Sequence, residues 1–418
     1  MIKLPEKIRR TLEKIVKEMR IKENVYSVGL FASWSRGDAT KSSDIDLLVL
    51  DKGDFNHEFV ERIEINGLLV DLDHIPKAWI HGQIPPELDQ KINELQILYD
   101  RDWSLTNTKL LMAKSYGSPE RVDIRTEAHV VESDIYLSRA TSAFSRKDFQ
   151  SAQLFAAMAL ENVLRVLMEV TLEPFSNSRF IEKLEESTAK LEMQNLFTEY
   201  LKVSGLSEVD SVSVEDKLKL FKAIWDEINF TAKQNPRAFE SSHFRIKTKL
   251  KYYLNPAFLQ GMIMRAKSLI NSGKAVEATH YLNNIFVDMI ENYAWLKSSI
   301  GKVKLDYTTL IRSLESLEEK DPRNYKHIIE FLNLGDVDKF RAAETIEKTR
   351  KIILKVRRER KVLIKTLLRG DVSRNSPFFK NYLCLRYSLI SSFSPSASSF
   401  SRHSEIFKPP DFPRFLLR

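Results

Sequence analysis

The sequence predicts a two-part chain, in which an α/β region with a mixed sheet and flanking helices precedes a large all-α region. Two observations predict this division. Three apolar runs typical of buried strands fall within about the first 115 residues. Beyond residue 119 the strand signals almost vanish, and long segments of helical period follow. Glycine (12) and proline (14) are both scarce in 418 residues, which argues against a turn-rich all-β protein.

The N-terminal elements follow from changes in the hydrophobic period. Residues 6–20 carry apolar side chains at helical spacing among charged ones, which predicts an amphipathic helix. Helical material is also predicted from about Pro86 to Leu98. The strands predicted between these helices are Val25–Ala32, Asp44–Leu50 and Leu68–Ile75. Together these elements define a predicted domain over residues 1–115.

The C-terminal domain is predicted to be helical over residues 120–369. Its segments of helical period are about 127–145, 149–172, 179–203, 214–232, 256–271, 275–299, 305–319 and 337–368. Residues 370–418 are rich in serine and proline, and we predict that they form a poorly ordered tail.

A faint internal repeat divides the helical region into two predicted units, about 125–205 and 250–369. The spacing from Arg139 to Ala152 equals the spacing from Arg265 to Ala278. In both segments a short polar turn lies between the arginine and the alanine. Two related helical hairpins explain this pattern, and chance similarity between amphipathic helices explains it nearly as well.

Composition excludes several classes of protein. The single cysteine, Cys384, rules out a disulfide framework and a thiolate zinc cluster. The net charge of +8 is modest for this length and does not by itself indicate nucleic-acid binding. The N-terminus lacks the apolar stretch of a secretion signal, and no window of about 18 residues is free of charges. We therefore expect a cytoplasmic protein without a membrane span.

The chemistry is concentrated in one short stretch. A buried strand leads into a turn that contains Ser33, and after ten residues the next strand opens with Asp44-Ile45-Asp46. Alternate residues of a strand point the same way, so the two carboxylates share one face and repel each other. The simplest explanation is a divalent cation between them, because Mg²⁺ prefers carboxylate oxygens together with the phosphates of a substrate.

The turn before these acids suits a phosphate chain. Small residues at Ala32, Ser33 and Gly37 allow backbone N–H groups to approach an anion, and Arg36 offers a positive fork to it. A third carboxylate follows about 25 residues after Asp46, in the run Val70-Asp71-Leu72-Asp73. Three carboxylates of this kind are typical of sites that hold two metal ions.

This arrangement resembles the polymerase-β-like nucleotidyltransferase superfamily, and its compact spacing is similar to the minimal and kanamycin nucleotidyltransferase groups. The resemblance covers about 100 residues and carries over to Ser33, Asp44 and Asp46. It implies that Asp71 is the third acid, although Asp73 lies on the same strand face and stays an alternative. One departure is Ala32, which stands where the family has a glycine, so weakened activity is an open alternative.

The resemblance also implies a role for the helical part. In kanamycin-type enzymes a helical domain supplies the acceptor pocket and often a glutamate base, which corresponds here to Glu161. The other interpretation, which we favour, is an ordinary ion pair between Glu161 and Arg165. The helical hairpins are also similar to HEPN domains, but the Arg237 to His243 spacing lies in a poor helix, so we expect no ribonuclease activity. The basic helix at 351–368 is interpreted as a solvated face or subunit contact in preference to an RNA-binding surface.

We therefore expect an enzyme that uses Mg²⁺ or Mn²⁺ to transfer a nucleoside monophosphate to an acceptor hydroxyl. The resemblance to the family implies that the transferred group is AMP and that its donor is ATP. In this scheme Asp44, Asp46 and Asp71 hold the metal, and the turn from Ala32 to Gly37 holds the triphosphate. The acceptor is a small molecule, a protein side chain or an RNA end, and the oligomeric state stays open. The rival hypothesis is a nucleotide-binding scaffold, impaired at Ala32, that binds partners through its helices.

Overall fold

A five-stranded mixed sheet forms the N-terminal part of the protein. Its strands lie in the order β3-β4-β2-β1-β5. Strands β2 and β4 are parallel, and the other neighbouring pairs are antiparallel. The strands are β1 Val25–Phe31, β2 Ile45–Asp51, β3 Phe59–Ile65, β4 Leu68–Pro76 and β5 Gln96–Asp100.

The coordinates are a computed structural model that describes residues 4–40, 42–82, 84–318 and 322–368. These residues all belong to one compact unit, Met1–Arg369. The tail predicted over residues 370–418 lies outside the described residues.

Helices cover both faces of the sheet. Helix α1 (Glu6–Ile21) buries one apolar stripe, Ile8, Leu12, Ile15 and Met19, against side chains from β1, β2 and β4. The opposite face carries Leu48, Leu50 and Ile75, which pack against α3 (Asp89–Glu94) and α4 (Ser104–Ser115). Between β1 and β2 lies the short helix α2 (Ala32–Arg36). The continuous apolar run of β2 follows from this burial on both faces.

Two strands were missed by the sequence analysis. Strand β3 is an edge strand whose charged residues interrupt the hydrophobic alternation, since Glu61 and Glu64 are exposed and Arg62 is buried. Strand β5 is a half-buried strand of five residues at the other edge of the sheet. The helix predicted from Pro86 to Leu98 was therefore too long: a 3₁₀ turn and α3 end at Glu94, and β5 begins at Gln96.

The rest of the described chain is helical, as predicted. Its helices are α5 Pro119–Ser145, α6 Phe149–Val170, α7 Phe180–Lys190, α8 Gln194–Val203, α9 Ser211–Gln234, α10 Pro236–Ser241, α11 Phe244–Tyr253, α12 Pro256–Asn271, α13 Ala275–Gly301, α14 Leu310–Leu317, α15 Pro322–Phe331 and α16 Lys339–Leu368. Helix α6 is long and apolar enough to cross a membrane by length and composition alone, but 72% of its most apolar window is buried inside the protein.

The boundaries inside the helical part differ from the prediction at three places. The segment 179–203 is two helices, α7 and α8, because Glu192 takes a left-handed backbone conformation (φ 56°) between them. Helices α10 and α11 and helix α15 were missed. These helices are short, and α10 and α15 begin at prolines, Pro236 and Pro322.

The two hairpins that suggested an internal repeat have the same turn. In the turn between α5 and α6, the N–H of Arg146 donates to the carbonyls of both Ser142 and Ala143. The N–H of Lys147 donates to the carbonyl of Phe144, and the N–H of Asp148 donates to that of Ala143. The corresponding groups of α12–α13 make the same pattern, with Gly273 (φ 72°) at the position of Lys147 (φ 64°). Equal turns are consistent with a repeat, which stays a prediction.

Helices α11 and α12 bring the helical part against the edge of the sheet. Asn255, between these helices, donates its side-chain amide to the carbonyl oxygen of Arg62 in β3 at 2.9 Å. Gly261 of α12 allows the closest approach, because a Cβ added there would lie 2.6 Å from Leu69 Cδ1 and 2.8 Å from Arg62 Nη1. This contact places α12 beside the ends of β2 and β4.

We expect Gly261→Ala to lower the free energy of unfolding by about 1–2 kcal/mol, since the added methyl overpacks the junction between α12 and the sheet. The matched control is Gly301→Ala in α13, where the added Cβ meets Val303 Cγ2 at an ordinary 3.6 Å. That control should keep or raise stability, because alanine is the better helix former. Urea unfolding of both variants measures the difference, and equal stabilities would contradict the close contact.

Candidate active site

Three carboxylates meet where β2 and β4 lie side by side. Asp44 immediately precedes β2, Asp46 is its second residue, and Asp71 lies in β4. Parallel pairing aligns Asp46 with Asp71 across the two strands. One oxygen from each of Asp44, Asp46 and Asp71 lies within 4.8 Å of the others. The three acids named from the sequence are therefore brought together, and we call them the acidic triad.

Asp73, the alternative third acid, has a different environment. It pairs with Leu48 in register, two residues beyond Asp71, and its side chain is bonded to Lys91 at 2.5 Å. Burial raises the pKa of Asp73 to about 7, even though the Lys91 charge lowers it, and the negative charge of Glu58 adds to the rise. The carboxylate that joins Asp44 and Asp46 is thus Asp71.

Two arginines form ion pairs with two members of the acidic triad, Asp44 and Asp71. Arg62 of β3 donates from Nε to Asp71 Oδ1 at 2.5 Å and from Nη2 to Asp44 Oδ2 at 2.6 Å. Arg265 of α12 forms a second ion pair with Asp44. The Arg62 side chain is only 5% exposed, so these are largely desolvated contacts. One of the two cations comes from the helical part of the chain.

The three carboxylates differ in their pKa because their partners differ. Burial raises the pKa of Asp44, but the positive charges of Arg265 and Arg62 lower it by more, so the pKa of Asp44 lies below its usual value. Burial and the charges of Asp44 and Asp71 raise the pKa of Asp46 well above its usual range. Burial raises the pKa of Asp71 against the opposing effect of Arg62.

A tyrosine hydroxyl also reaches the acidic triad. Tyr252, near the end of α11, donates from its Oη to Asp71 Oδ2 at 3.1 Å. The Arg62 guanidinium lies over the tyrosine ring, 5.4 Å from its centroid. Burial and the Asp71 charge raise the pKa of Tyr252, so the phenol is protonated and acts as a donor.

Sequence reasoning missed Arg62, Arg265 and Tyr252 as site residues. Arg62 belongs to the edge strand that was not predicted, and Arg265 was noted only as part of the repeat. Alternation in Phe59–Ile65 places Arg62 on the strand face of Val60 and Glu64, so the local sequence gives no signal that its side chain is buried.

The acidic triad fits a hard divalent cation. Its donor set consists of carboxylate oxygens from three side chains, which is the chemistry that Mg²⁺ and Mn²⁺ prefer. The raised pKa of Asp46 reflects the repulsion that such a cation relieves. The residues present are therefore compatible with a divalent metal site.

The turn before the triad has the backbone conformation of a glycine-containing turn. Ala32 adopts a left-handed conformation (φ 57°), and Gly37 ends α2 with φ 84°. Alanine at this position thus adopts a backbone conformation that favours glycine, at the cost of local strain. The carbonyl of Ser33 accepts hydrogen bonds from the N–H groups of Gly37 and Asp38 at 2.9 and 3.1 Å.

Arg36 is held by two acids. Its Nη1 donates to Glu94 Oε2 at 2.7 Å, and its Nη2 lies 3.4 Å from Asp38 Oδ1. A phosphate-binding role for this side chain therefore requires it to share or exchange these partners.

Glu161 is an ion-paired residue in the described structure. Its carboxylate accepts hydrogen bonds from Arg165 at 2.7 Å and Tyr200 at 3.1 Å, and lies 3.2 Å from His280 Nε2. Burial raises the pKa of Glu161, but His280 and Arg165 lower it more, so it falls below its usual value. This direction is opposite to the raised pKa expected of a general base, and the ion-pair interpretation with Arg165 agrees with the contacts.

The other basic and histidine signals have structural partners. In α16, Arg357 pairs with Asp134, and Arg360 pairs with Asp123 and Glu127 of α5. Such pairing leaves less charge for an RNA backbone. His243 caps the start of α11 by accepting a hydrogen bond from Arg245 N at 3.3 Å, and Arg237 lies in the separate helix α10.

The fold and the acidic triad define a nucleotidyltransferase domain. The family model described as "Nucleotidyltransferase domain" matches residues 10–95, which include the triad and Arg62. A protein of Methanocaldococcus jannaschii, named "Putative protein adenylyltransferase MJ1379", is 37% identical over 100 aligned residues, and the similarity covers 22% of this chain and 95% of that protein. The chain therefore belongs to the nucleotidyltransferase family, as its resemblance to that family predicted.

A solved structure of a nucleotidyltransferase-like protein from Exiguobacterium sibiricum 255-15 is similar at 11% identity, with a TM-score of 0.29. The similarity covers 78% of this chain and 91% of that chain.

We expect Glu161→Gln to lower the free energy of unfolding by about 3 kcal/mol at pH 7, because Arg165 loses a buried charged partner. Since folding lowers the pKa of Glu161, its stabilisation is complete above the unfolded value near 4.5 and is lost as the pH falls through the folded value. The difference in the free energy of unfolding between wild type and Glu161→Gln, measured by urea unfolding, should therefore become smaller below pH 4.5. The control is the exposed Glu185→Gln, and an unchanged gap at acid pH would contradict the assignment.

Proposed function

We propose that this protein transfers a nucleoside monophosphate from a nucleoside triphosphate to an acceptor hydroxyl. The observation that carries the proposal is the convergence of Asp44, Asp46 and Asp71 within 4.8 Å on two parallel strands of a nucleotidyltransferase domain. AMP from ATP is the preferred donor group, which is supported by the printed name of the Methanocaldococcus relative.

Each side chain has a distinct role in this proposal. Asp44, Asp46 and Asp71 hold Mg²⁺ or Mn²⁺, and the turn from Ala32 to Gly37, with Ser33 and Arg36, holds the triphosphate. The bound metal supplies charge neutralisation for the attacking and leaving oxygens. The acceptor oxygen attacks the α-phosphorus, the bond to the β-phosphate oxygen breaks, and pyrophosphate leaves. Asp71 takes the acceptor proton.

The helical part is proposed to form the acceptor side of the site. Arg265 and Tyr252 both come from helices and both contact the acidic triad. A small molecule, a protein side chain or an RNA end is the acceptor. We also propose a cytoplasmic location, which fits the single cysteine.

A second candidate function is a nucleotide-binding or partner-binding scaffold without transferase activity. The observation that favours it is the pairing of Arg62 and Arg265 with Asp44 and Asp71, which gives two of the three carboxylates a positive partner without a metal ion. The two candidates differ in one respect: an enzyme must bind Mg²⁺ with the nucleotide at the triad, and a scaffold need not.

We expect Asp46→Asn to abolish Mg²⁺-dependent ATP binding and to reduce pyrophosphate release by about 100-fold or more, because the variant loses a charge that neutralises the cation. Calorimetric titration with Mg²⁺ and a non-hydrolysable ATP analogue measures binding, and a coupled assay measures pyrophosphate. Asp71→Asn should behave like Asp46→Asn.

The control for this experiment is Asp54→Asn, at an exposed acid outside the triad that should leave both measurements unchanged. Binding without pyrophosphate release in wild type would favour the scaffold. Mg²⁺·nucleotide binding that survives Asp46→Asn would overturn the assignment of the triad.

A further inference from the structure

We propose that Tyr252 is itself an acceptor, so that the protein adenylylates this tyrosine within its own chain. The inference rests on the proposed function and adds a modification site and a substrate class to it, a phenolic hydroxyl. It follows from where the structure places one oxygen atom.

The phenolic oxygen lies at the acidic triad. Tyr252 Oη is 3.1 Å from Asp71 Oδ2, and the triad oxygens lie within 4.8 Å of one another. An acceptor hydroxyl in a site of this kind must contact the carboxylate that takes its proton, at hydrogen-bond distance. Among the described residues, Tyr252 provides the hydroxyl that is hydrogen-bonded to the triad.

The phenol is held in this position by its surroundings. Its ring packs against Phe258, with centroids 5.0 Å apart, and beneath the guanidinium of Arg62. Asn255 fixes the segment that follows by donating to the carbonyl of Arg62, and its side-chain oxygen accepts the N–H of Ala257 at 2.9 Å. An acceptor held in the site needs no encounter with a second molecule, which favours the intramolecular reaction.

A cation lies against the ring of Tyr252. Arg62 forms ion pairs with Asp71 and Asp44, and its guanidinium lies over the tyrosine ring, 5.4 Å from the ring centroid. The neighbouring Tyr253 lacks this environment, because its hydroxyl donates to Asp288 of α13. Adjacent tyrosines therefore differ in their access to the triad.

The proposed step is balanced without any further reactant. The Tyr252 oxygen attacks the α-phosphorus of ATP, and the bond between that phosphorus and the β-phosphate oxygen breaks. Pyrophosphate leaves, the phenolic proton passes to Asp71, and no group is oxidised or reduced. The product is a phosphodiester between tyrosine and AMP, and the single acceptor oxygen predicts one AMP group on Tyr252.

The test is incubation of the full chain with Mg²⁺ and ATP labelled at the α-phosphate. We expect the intact mass to increase by one AMP group, with the modified peptide carrying it on Tyr252. Tyr252→Phe should lose at least about nine-tenths of the label, and the matched Tyr253→Phe should retain it. The labelling rate per chain should be independent of protein concentration, because donor site and acceptor belong to the same molecule.

A second measurement does not depend on activity. Mn²⁺ bound at the triad should broaden the NMR signal of a tyrosine ring carbon labelled at Cζ, and Tyr252→Phe should remove that signal. Absence of broadening for Tyr252 in a protein that binds Mn²⁺ would place the phenol away from the metal and overturn the inference.

The outcomes separate this inference from the proposed function. One result is a wild-type protein that binds Mg²⁺·nucleotide and releases pyrophosphate while Tyr252 carries no AMP. That result rejects the self-modification and leaves the proposed function in place. Label on another residue, or label that persists in Tyr252→Phe, has the same meaning. Protein that neither binds Mg²⁺·nucleotide nor releases pyrophosphate rejects both.

Discussion

The structure depends on how three carboxylates are kept together at the ends of two parallel strands. Pairing of β2 with β4 places Asp46 opposite Asp71, and burial makes the repulsion between them costly. Arg62 and Arg265 offset that repulsion through short, desolvated ion pairs. One of these arginines comes from the sheet and the other from a helix. The electrostatics of the triad therefore join the two parts of the chain.

This requirement explains the packing around Gly261. A side chain at that position would meet Arg62 and Leu69, so the absence of a Cβ lets α12 approach β3 and carry Arg265 to Asp44. The turn between α11 and α12 is fixed to β3 by Asn255, which in turn sets the position of Tyr252. The helical part thus supplies a cation and a hydroxyl to the acidic site of the sheet, and this contribution goes beyond covering an apolar surface.

Site residues could be predicted from the sequence where functional side chains lie within a single strand that has a clear hydrophobic pattern. Asp44 and Asp46 are separated by one residue in a continuous apolar run, so their shared strand face follows from alternation alone. Asp71 required the family resemblance, because Asp73 alternates in the same way and only the register with Asp46 and the partner Lys91 separate them. Arg62, Tyr252 and Arg265 could not be predicted, since their roles arise from contacts across the chain between elements without local sequence signals. Glu161 shows the converse, because an acid in an apolar helix took its pKa from Arg165 and His280 and not from burial alone.

The same hydrogen bond restricts every acceptor in the proposed reaction. An external hydroxyl that is to transfer its proton to Asp71 must occupy the position in which Tyr252 Oη now lies, because both need the same carboxylate oxygen at hydrogen-bond distance. Self-modification and transfer to another molecule are therefore competing uses of one position. Since α11 carries the tyrosine and Asn255 anchors the segment after it, an external acceptor has to displace the end of that helix or the side chain alone. An acceptor that binds the helical part can lower the cost of this displacement, so recognition by the helices and access to the triad are coupled in the architecture.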